Sequence, residues 1–135
     1  MATTVDTLSP GVGFWRGFFL VAALYDLILG AVFFFFYGPI FSILGIPLPP
    51  NTSYIHLTAG YVFVQGLGYW LVFRDLLGNL GIVKVGIVYK AIYTAVAVYY
   101  LATGALPDAV FAWFAVFDLA FLSLFVRFLM VTSRR

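Results

Sequence analysis

The sequence contains no cysteine and no glutamate, and only 9% of its residues are charged. Without cysteine the chain cannot form disulfides, use a thiolate nucleophile or hold metal clusters through sulfur. The motifs G-x-S-x-G, HExxH, GxGxxG and the P-loop are also absent. These absences argue against hydrolases, metalloproteases and nucleotide enzymes of the soluble kind. We therefore predict no catalytic residue and no metal site, because the sole histidine, His56, cannot bind a metal alone.

Apolar sequence is abundant: 64% of the 135 residues are hydrophobic, and the mean hydropathy is +1.10. A helix needs about 20 mostly apolar residues to cross a membrane. Four stretches of that length fit the sequence, at about 14–36, 52–73, 81–103 and 107–129. Strands of a membrane barrel would alternate apolar and polar residues, and these stretches do not. We therefore predict an all-α integral membrane four-helix bundle that forms one transmembrane domain over residues 1–135.

Proline and glycine divide these stretches. The first is expected to be a mature helix, because no Lys or Arg precedes Arg16 and the stretch is longer than a signal-peptide core. Pro39 is expected to end this helix, since proline cannot continue one. Residues 40–50 are apolar but too short to span, and are predicted to lie along the membrane surface. Gly104 is expected to terminate helix 3, and Pro107 and Asp108 to open helix 4.

The basic residues indicate an orientation. With four spans, one side of the membrane receives six Lys or Arg residues and the other side receives none. Because the basic side of a membrane protein faces the cytoplasm, both termini are predicted to be cytoplasmic, in the inner (plasma) membrane of a bacterium. Trp15 and Trp70 are expected at the inner interface. The aromatic residues expected at the outer interface are Tyr37, Tyr54, Tyr99, Tyr100 and Trp113.

Three charged residues lie near the middle of three apolar stretches: Asp26, Lys90 and Asp118. All three lie at about the same depth, ~14 to 18 Å of helical rise from the cytoplasmic edge. Charged groups at this depth are costly, so they are expected to face the bundle interior and pair. Two carboxylates and one ammonium leave one negative charge over. Protonation of one aspartate would remove this excess charge, and further hydrogen-bond donors would stabilise it. The donors predicted for this polar network are Gln65, Tyr69 and Tyr93, with Tyr25, Tyr89 and Thr94.

This polar centre has several interpretations. It can be a structural network that fixes helix register, a site that handles protons or cations, or a polar anchor for a ligand. Lys90 has an alternative of its own, because helical side chains lean toward the N-terminus and its ammonium can then reach the membrane surface.

Several segments carry a likeness to a known group. GLGYWLVFRD, GIVKVG, GALPDAV and FDLAFLSLFVRFL lie within residues 57–129, and over this range the chain resembles small bacterial four-helix membrane proteins of the DoxX-like and unknown-function kind. The resemblance implies a four-helix membrane fold and carries over no catalytic residue.

The sequence favours a non-enzymatic role, either as an accessory subunit of a membrane complex or as a bundle that binds a lipophile. The alternatives are a membrane enzyme acting on a lipid or sterol-like substrate, with Asp26 or Asp118 at the end of its pocket, and a small proton-coupled transporter. No cofactor is predicted, although a bound lipid or isoprenoid fits the composition. The partners considered are the bilayer, a larger membrane complex and a second copy of the chain. A net charge of +2 gives no indication of a nucleic-acid partner.

Overall fold

The computed structural model describes residues 11–106 and 108–133. This part of the chain forms four α-helices, α1 (Val12–Leu44), α2 (Ser53–Arg74), α3 (Leu80–Ala102) and α4 (Ala109–Thr132). The last three begin and end within three residues of the predicted bounds. The predicted start of α4 at Pro107 lies outside the described residues, as do Arg134 and Arg135. Asp108 caps α4, because its carboxylate accepts a hydrogen bond of 2.9 Å from the backbone N–H of Val110.

Three helices, α1, α3 and α4, are long and apolar enough to cross a membrane. The fourth, α2, has 22 residues and is less apolar, because it holds His56, Thr58, Gln65 and several glycines. Four spans were predicted, and three of the four helices have the length and composition of a membrane span. The side of α2 that faces away from the other helices is nevertheless apolar, and its exposed residues include Leu57, Tyr61, Val64, Leu67 and Leu71.

The first helical segment ends at a kink where predicted, because Phe36 is non-helical, with φ −127° and ψ 26°. A second helical segment then continues to Leu44, so Pro39 does not end the helical structure as expected. This break places Pro39 in the first turn of the helical segment that follows, where a backbone N–H has no helical partner and proline is tolerated. Residues predicted to lie along the membrane surface are thus partly helical. The helix ends at Gly45, which has a φ of 71° and supplies the left-handed conformation of a helix C-terminus.

Neighbouring helices are antiparallel. Gly30 of α1 lies against the backbone of Ala59 and Phe63 in α2, and Gly66 of α2 lies against Ala23 and Leu27 in α1. A Cβ atom at Gly30 would lie 2.6 Å from the backbone nitrogen of Phe63. Only glycine permits this approach, so α1 and α2 form a tight pair. We call the end that holds Val12, Arg74, Leu80 and Thr132 the basic end, and the other the distal end.

Large aromatic side chains join the pair α1 and α2 to the pair α3 and α4. Phe19 packs on Phe125 and Phe128 with ring centroids 5.4 and 4.9 Å apart, and Tyr69 packs on Phe125 at 5.0 Å. Tyr69 fits because Gly86 of α3 has no side chain where the phenol ring lies. These contacts fill the half of the bundle nearest the basic end, and its buried core consists of Trp15, Phe18, Phe19, Ala22, Ala23, Tyr69, Val72, Leu76, Val83, Phe125, Phe128 and Val131.

Trp15 lies near the start of α1, at the basic end, where the inner interface is predicted. Its side chain is fully buried and packs on Phe128, with ring centroids 5.1 Å apart. The indole therefore fills the space between α1 and α4 instead of facing outward. At the distal end Tyr54, Tyr99, Tyr100 and Trp113 are exposed and Tyr37 is half-buried, and their position at an outer interface stays a prediction.

Candidate functional site

The charged residues of three helices meet in the middle of the bundle. The Lys90 ammonium on α3 donates a hydrogen bond of 3.0 Å to Oδ1 of Asp118 on α4, and it lies 3.7 Å from Oδ2 of Asp26 on α1. Lys90 is 1% exposed, Asp26 2% and Asp118 6%. The alternative in which Lys90 extends to the membrane surface is therefore excluded. We call these three residues the charged triad.

The Lys90 ammonium is also surrounded by aromatic rings. It lies 5.0 Å from the ring centroid of Phe121, 5.4 Å from that of Tyr69 and 5.7 Å from that of Tyr89. Tyr25 and Phe125 follow at 6.0 Å each. The negative face of an aromatic ring attracts a cation, and the attraction is stronger where water is excluded. The rings therefore offset part of the cost of removing the ammonium from water.

A cavity of about 280 Å³ lies between the charged triad and the distal end. All four helices line it. Asp26 and Asp118 are at its inner end, and Phe41 and Tyr54 are near the distal end. Its other lining residues are almost all apolar or aromatic: Tyr25, Leu29, Gly30, Phe33, Ile55, Thr58, Ala59, Val62, Tyr89, Tyr93, Phe111 and Phe114. An apolar pocket with a few polar groups at one end is the usual form of a small-molecule site.

The remaining residues of the predicted polar network have different positions. Tyr93 lines the cavity and its hydroxyl donates a hydrogen bond of 3.3 Å to the carbonyl of Phe111. Tyr69 is fully buried beside Lys90 and does not line the cavity. Gln65 is partly buried, and within residues 11–106 and 108–133 no hydrogen bond connects it to the charged triad. A role for Gln65 in the polar network therefore stays a prediction.

Two buried polar atoms at the inner end of the cavity have no hydrogen-bond partner among the described residues. They are Oδ2 of Asp26 and the hydroxyl of Tyr25. Two more, the hydroxyls of Tyr69 and Thr94, are similarly unpartnered within that part of the chain. Buried polar groups usually have partners, because leaving one without a hydrogen bond costs free energy. Asp26 and Tyr25 line the cavity, so a molecule in the cavity can supply the partners of both.

Sequence reasoning missed most of the cavity wall. Gly30 and Phe33 are four and seven residues after Asp26, which places them on the same face of α1. Phe114 and Phe111 are four and seven residues before Asp118, which places them on its face of α4. A search for helical spacing around each aspartate would have found these four residues. The residues from α2 carry no such signal. Their position depends on how closely α1 and α2 approach.

Searches of protein-family models, curated proteins and solved structures return no match for this chain. The fold and the site together define an all-helical bundle with a buried charged triad and an apolar cavity that ends on two carboxylates.

Proposed function

We propose that this chain is an integral membrane protein that crosses the bilayer four times, with both termini in the cytoplasm. The exposed apolar side chains support this, because they occur on every helix, α2 included. So large an apolar surface is unfavourable in water and favourable in lipid. The side chains of Arg16, Arg74, Lys84 and Arg127 belong to the half of the bundle nearest the basic end, which supports a cytoplasmic position of that end. A bacterial plasma membrane is the location that we propose.

Within this membrane protein, we propose that the cavity binds a lipophilic molecule and that the chain is not an enzyme. The observation that carries the proposal is the cavity of about 280 Å³ itself, lined by apolar groups from all four helices. This volume is close to the lower limit of the ~300 to 1,000 Å³ typical of small-molecule pockets. A compact lipophile, such as a short aromatic or isoprenoid compound, fits the lining better than a polar metabolite.

The experiment that tests this proposal compares two tryptophan variants. Val62 lines the cavity, whereas Val64 on the same helix faces outward and is 59% exposed. Val62→Trp should fill the cavity, and Val64→Trp should leave it open. Native mass spectrometry of protein extracted in mild detergent then reports bound lipophiles directly. We expect wild type and Val64→Trp to retain a small lipophilic adduct that Val62→Trp loses.

An adduct retained equally by all three proteins would contradict the proposal, since it would show binding outside the cavity. Absence of any adduct from wild type would contradict it as well if compact lipophiles added to the purified protein also fail to bind. The role of accessory subunit stays a prediction, and the same spectra test it because a retained larger protein would appear as an added mass.

A further inference from the structure

We propose that the ligand of the cavity is a lipophilic cation with one positive charge, and that its charged group pairs with Asp26. This inference rests on the proposed function, since it requires that the cavity binds a lipophile. It adds the chemical class of that lipophile: an apolar body with a protonated amine at one end.

The first step is the charge of the site. The charged triad contains two carboxylates and one ammonium, and all three side chains are at least nine-tenths buried. With both aspartates ionised the site carries one uncompensated negative charge. Among the described residues, no Lys, Arg or His lines the cavity. An unpaired charge in an apolar interior is costly, so the site is neutralised either by a proton on one aspartate or by a ligand that brings one positive charge. A cationic ligand takes the place of that proton, whereas a neutral ligand brings no charge to pair with the carboxylate.

The second step identifies the carboxylate that is free to pair. Lys90 donates its hydrogen bond to Asp118, at 3.0 Å, and is farther from Asp26, at 3.7 Å. Oδ2 of Asp26 has no hydrogen-bond partner among the described residues. Asp118 is therefore the hydrogen-bonded partner of Lys90. Asp26 forms only the longer ion pair with Lys90, and its Oδ2 can accept a hydrogen bond from a ligand in the cavity.

The third step concerns the surroundings of the ligand's charged group. Tyr25 and Tyr89 line the inner end of the cavity beside Asp26, and Phe33 and Phe114 line it farther out. Aromatic rings attract cations as well as packing on apolar groups, and Tyr25 and Tyr89 lie close to the Lys90 ammonium. A ligand with an ammonium group next to an aromatic or short alkyl body would match both parts of this lining.

The test uses two probes that differ in charge and little in shape, 4-phenylbutylamine and 4-phenylbutanol. Purified full-length protein is placed in nanodiscs of neutral lipid at pH 7, where a primary amine is protonated. Binding is measured by isothermal titration calorimetry, with Val62→Trp nanodiscs giving the background from partition into lipid. We expect the amine to bind wild type at least about tenfold more tightly than the alcohol, because only the amine neutralises the excess charge.

Asp26→Asn should abolish this preference, since it removes both the excess charge and the free acceptor. Asp75→Asn is the matched control, because Asp75 lies in the turn after α2 and does not line the cavity; it should keep the preference. If Asp26→Asn does not fold, Asp118→Asn replaces it. This variant also removes one negative charge and leaves Lys90 to pair with Asp26.

Equal binding of amine and alcohol to wild type would overturn the assignment of a cation and leave the proposed lipophile cavity standing. An amine preference that survives Asp26→Asn would also overturn it, because the charge would then be recognised elsewhere. If neither probe binds wild type, so that the heats of titration equal those of the Val62→Trp background, this inference is overturned. That result would also count against the proposed cavity function.

Discussion

Lys90 is the residue whose environment most constrains the rest of the site. Its ammonium reaches two carboxylates on two other helices and is surrounded by five aromatic rings. It therefore connects α1, α3 and α4 at one point. Removing one member of a buried ion pair costs more than the pair contributes, since the remaining charge is left buried without a partner.

Lys90→Met should accordingly lower the free energy of unfolding by about 3 to 5 kcal/mol, because two buried carboxylates lose the cation that both of them contact. Thermal unfolding in mild detergent measures the change. Lys84→Met is the control, since Lys84 is exposed on the same helix and its loss should change stability by no more than ~0.5 kcal/mol. Adding Asp26→Asn and Asp118→Asn to Lys90→Met should restore most of the stability. If all four proteins unfold at the same temperature, the charged triad has no role in stability.

Two tyrosines at the site differ in one hydrogen bond. The Tyr93 hydroxyl donates to the carbonyl of Phe111, whereas the Tyr69 hydroxyl has no partner within residues 11–106 and 108–133. Tyr93→Phe should therefore destabilise the fold by about 0.6 kcal/mol, the mean for interhelical hydrogen bonds in membranes. Tyr69→Phe should be neutral or stabilising, because it removes a buried hydroxyl without a partner. The same unfolding measurement compares them, and a larger loss for Tyr69→Phe would contradict the described environments.

At the scale of the helices, the contact between α1 and α2 depends on two glycines. A Cβ atom at Gly30 would lie 2.7 Å from the carbonyl oxygen of Ala59, and one at Gly66 would lie 2.7 Å from the backbone nitrogen of Leu27. Both clashes involve backbone, which a rotamer change cannot relieve. The helices would have to move apart, and the cavity wall formed by α1 and α2 would move with them.

Gly30→Ala and Gly66→Ala should therefore each cost about 1 to 3 kcal/mol, as overpacking generally does. Gly17→Ala provides a control in α1, since nothing lies within 4 Å of its added Cβ, and it should be neutral or stabilise by up to ~1 kcal/mol. The measurement is the free energy of unfolding in detergent. A destabilisation by Gly17→Ala equal to the other two would mean that helix contact is not the cause.

How much of this arrangement was predictable differs from feature to feature. The pairing of Asp26, Lys90 and Asp118 could be predicted. An isolated charge within a membrane-spanning helix is costly, so charged residues there are expected to pair. The continuation of α1 beyond Phe36 did not follow, because a proline that ends one helix is equally compatible with the first turn of another.

The contact between α1 and α2 was only partly predictable. Small residues permit close approach of membrane helices, and Gly66 and Gly86 lie at such contacts. Gly60 and Gly81 face more open space, so a glycine in the sequence does not by itself identify a contact such as that of Gly30. The cavity could not be predicted at all, since it depends on where the two helix pairs separate, and no local sequence pattern encodes that distance.

At the scale of the whole molecule, the packed aromatic core and the cavity occupy opposite halves. The core joins the helices near the basic end, the charged triad lies between, and the cavity occupies the distal half. With the proposed orientation, the packed half lies toward the cytoplasm and the cavity in the outer half of the bilayer. A lipophile would then reach the site from the outer leaflet or the external aqueous phase. This arrangement depends on the orientation, which is open to a direct test.

The chain has no cysteine, so a single introduced cysteine reports the side of the membrane on which it lies. Asn51→Cys and Thr103→Cys lie in the two distal connections, and Asn79→Cys and Ser133→Cys lie at the basic end. We expect a membrane-impermeant maleimide to label the first two in intact cells, and the last two only after permeabilisation, because in the proposed orientation the basic end faces the cytoplasm. A chain in which α2 does not cross would place residues 51 and 79 on the same side. Labelling of both from outside would contradict four spans, and reversal of the whole pattern would place the cavity in the cytoplasmic half of the membrane.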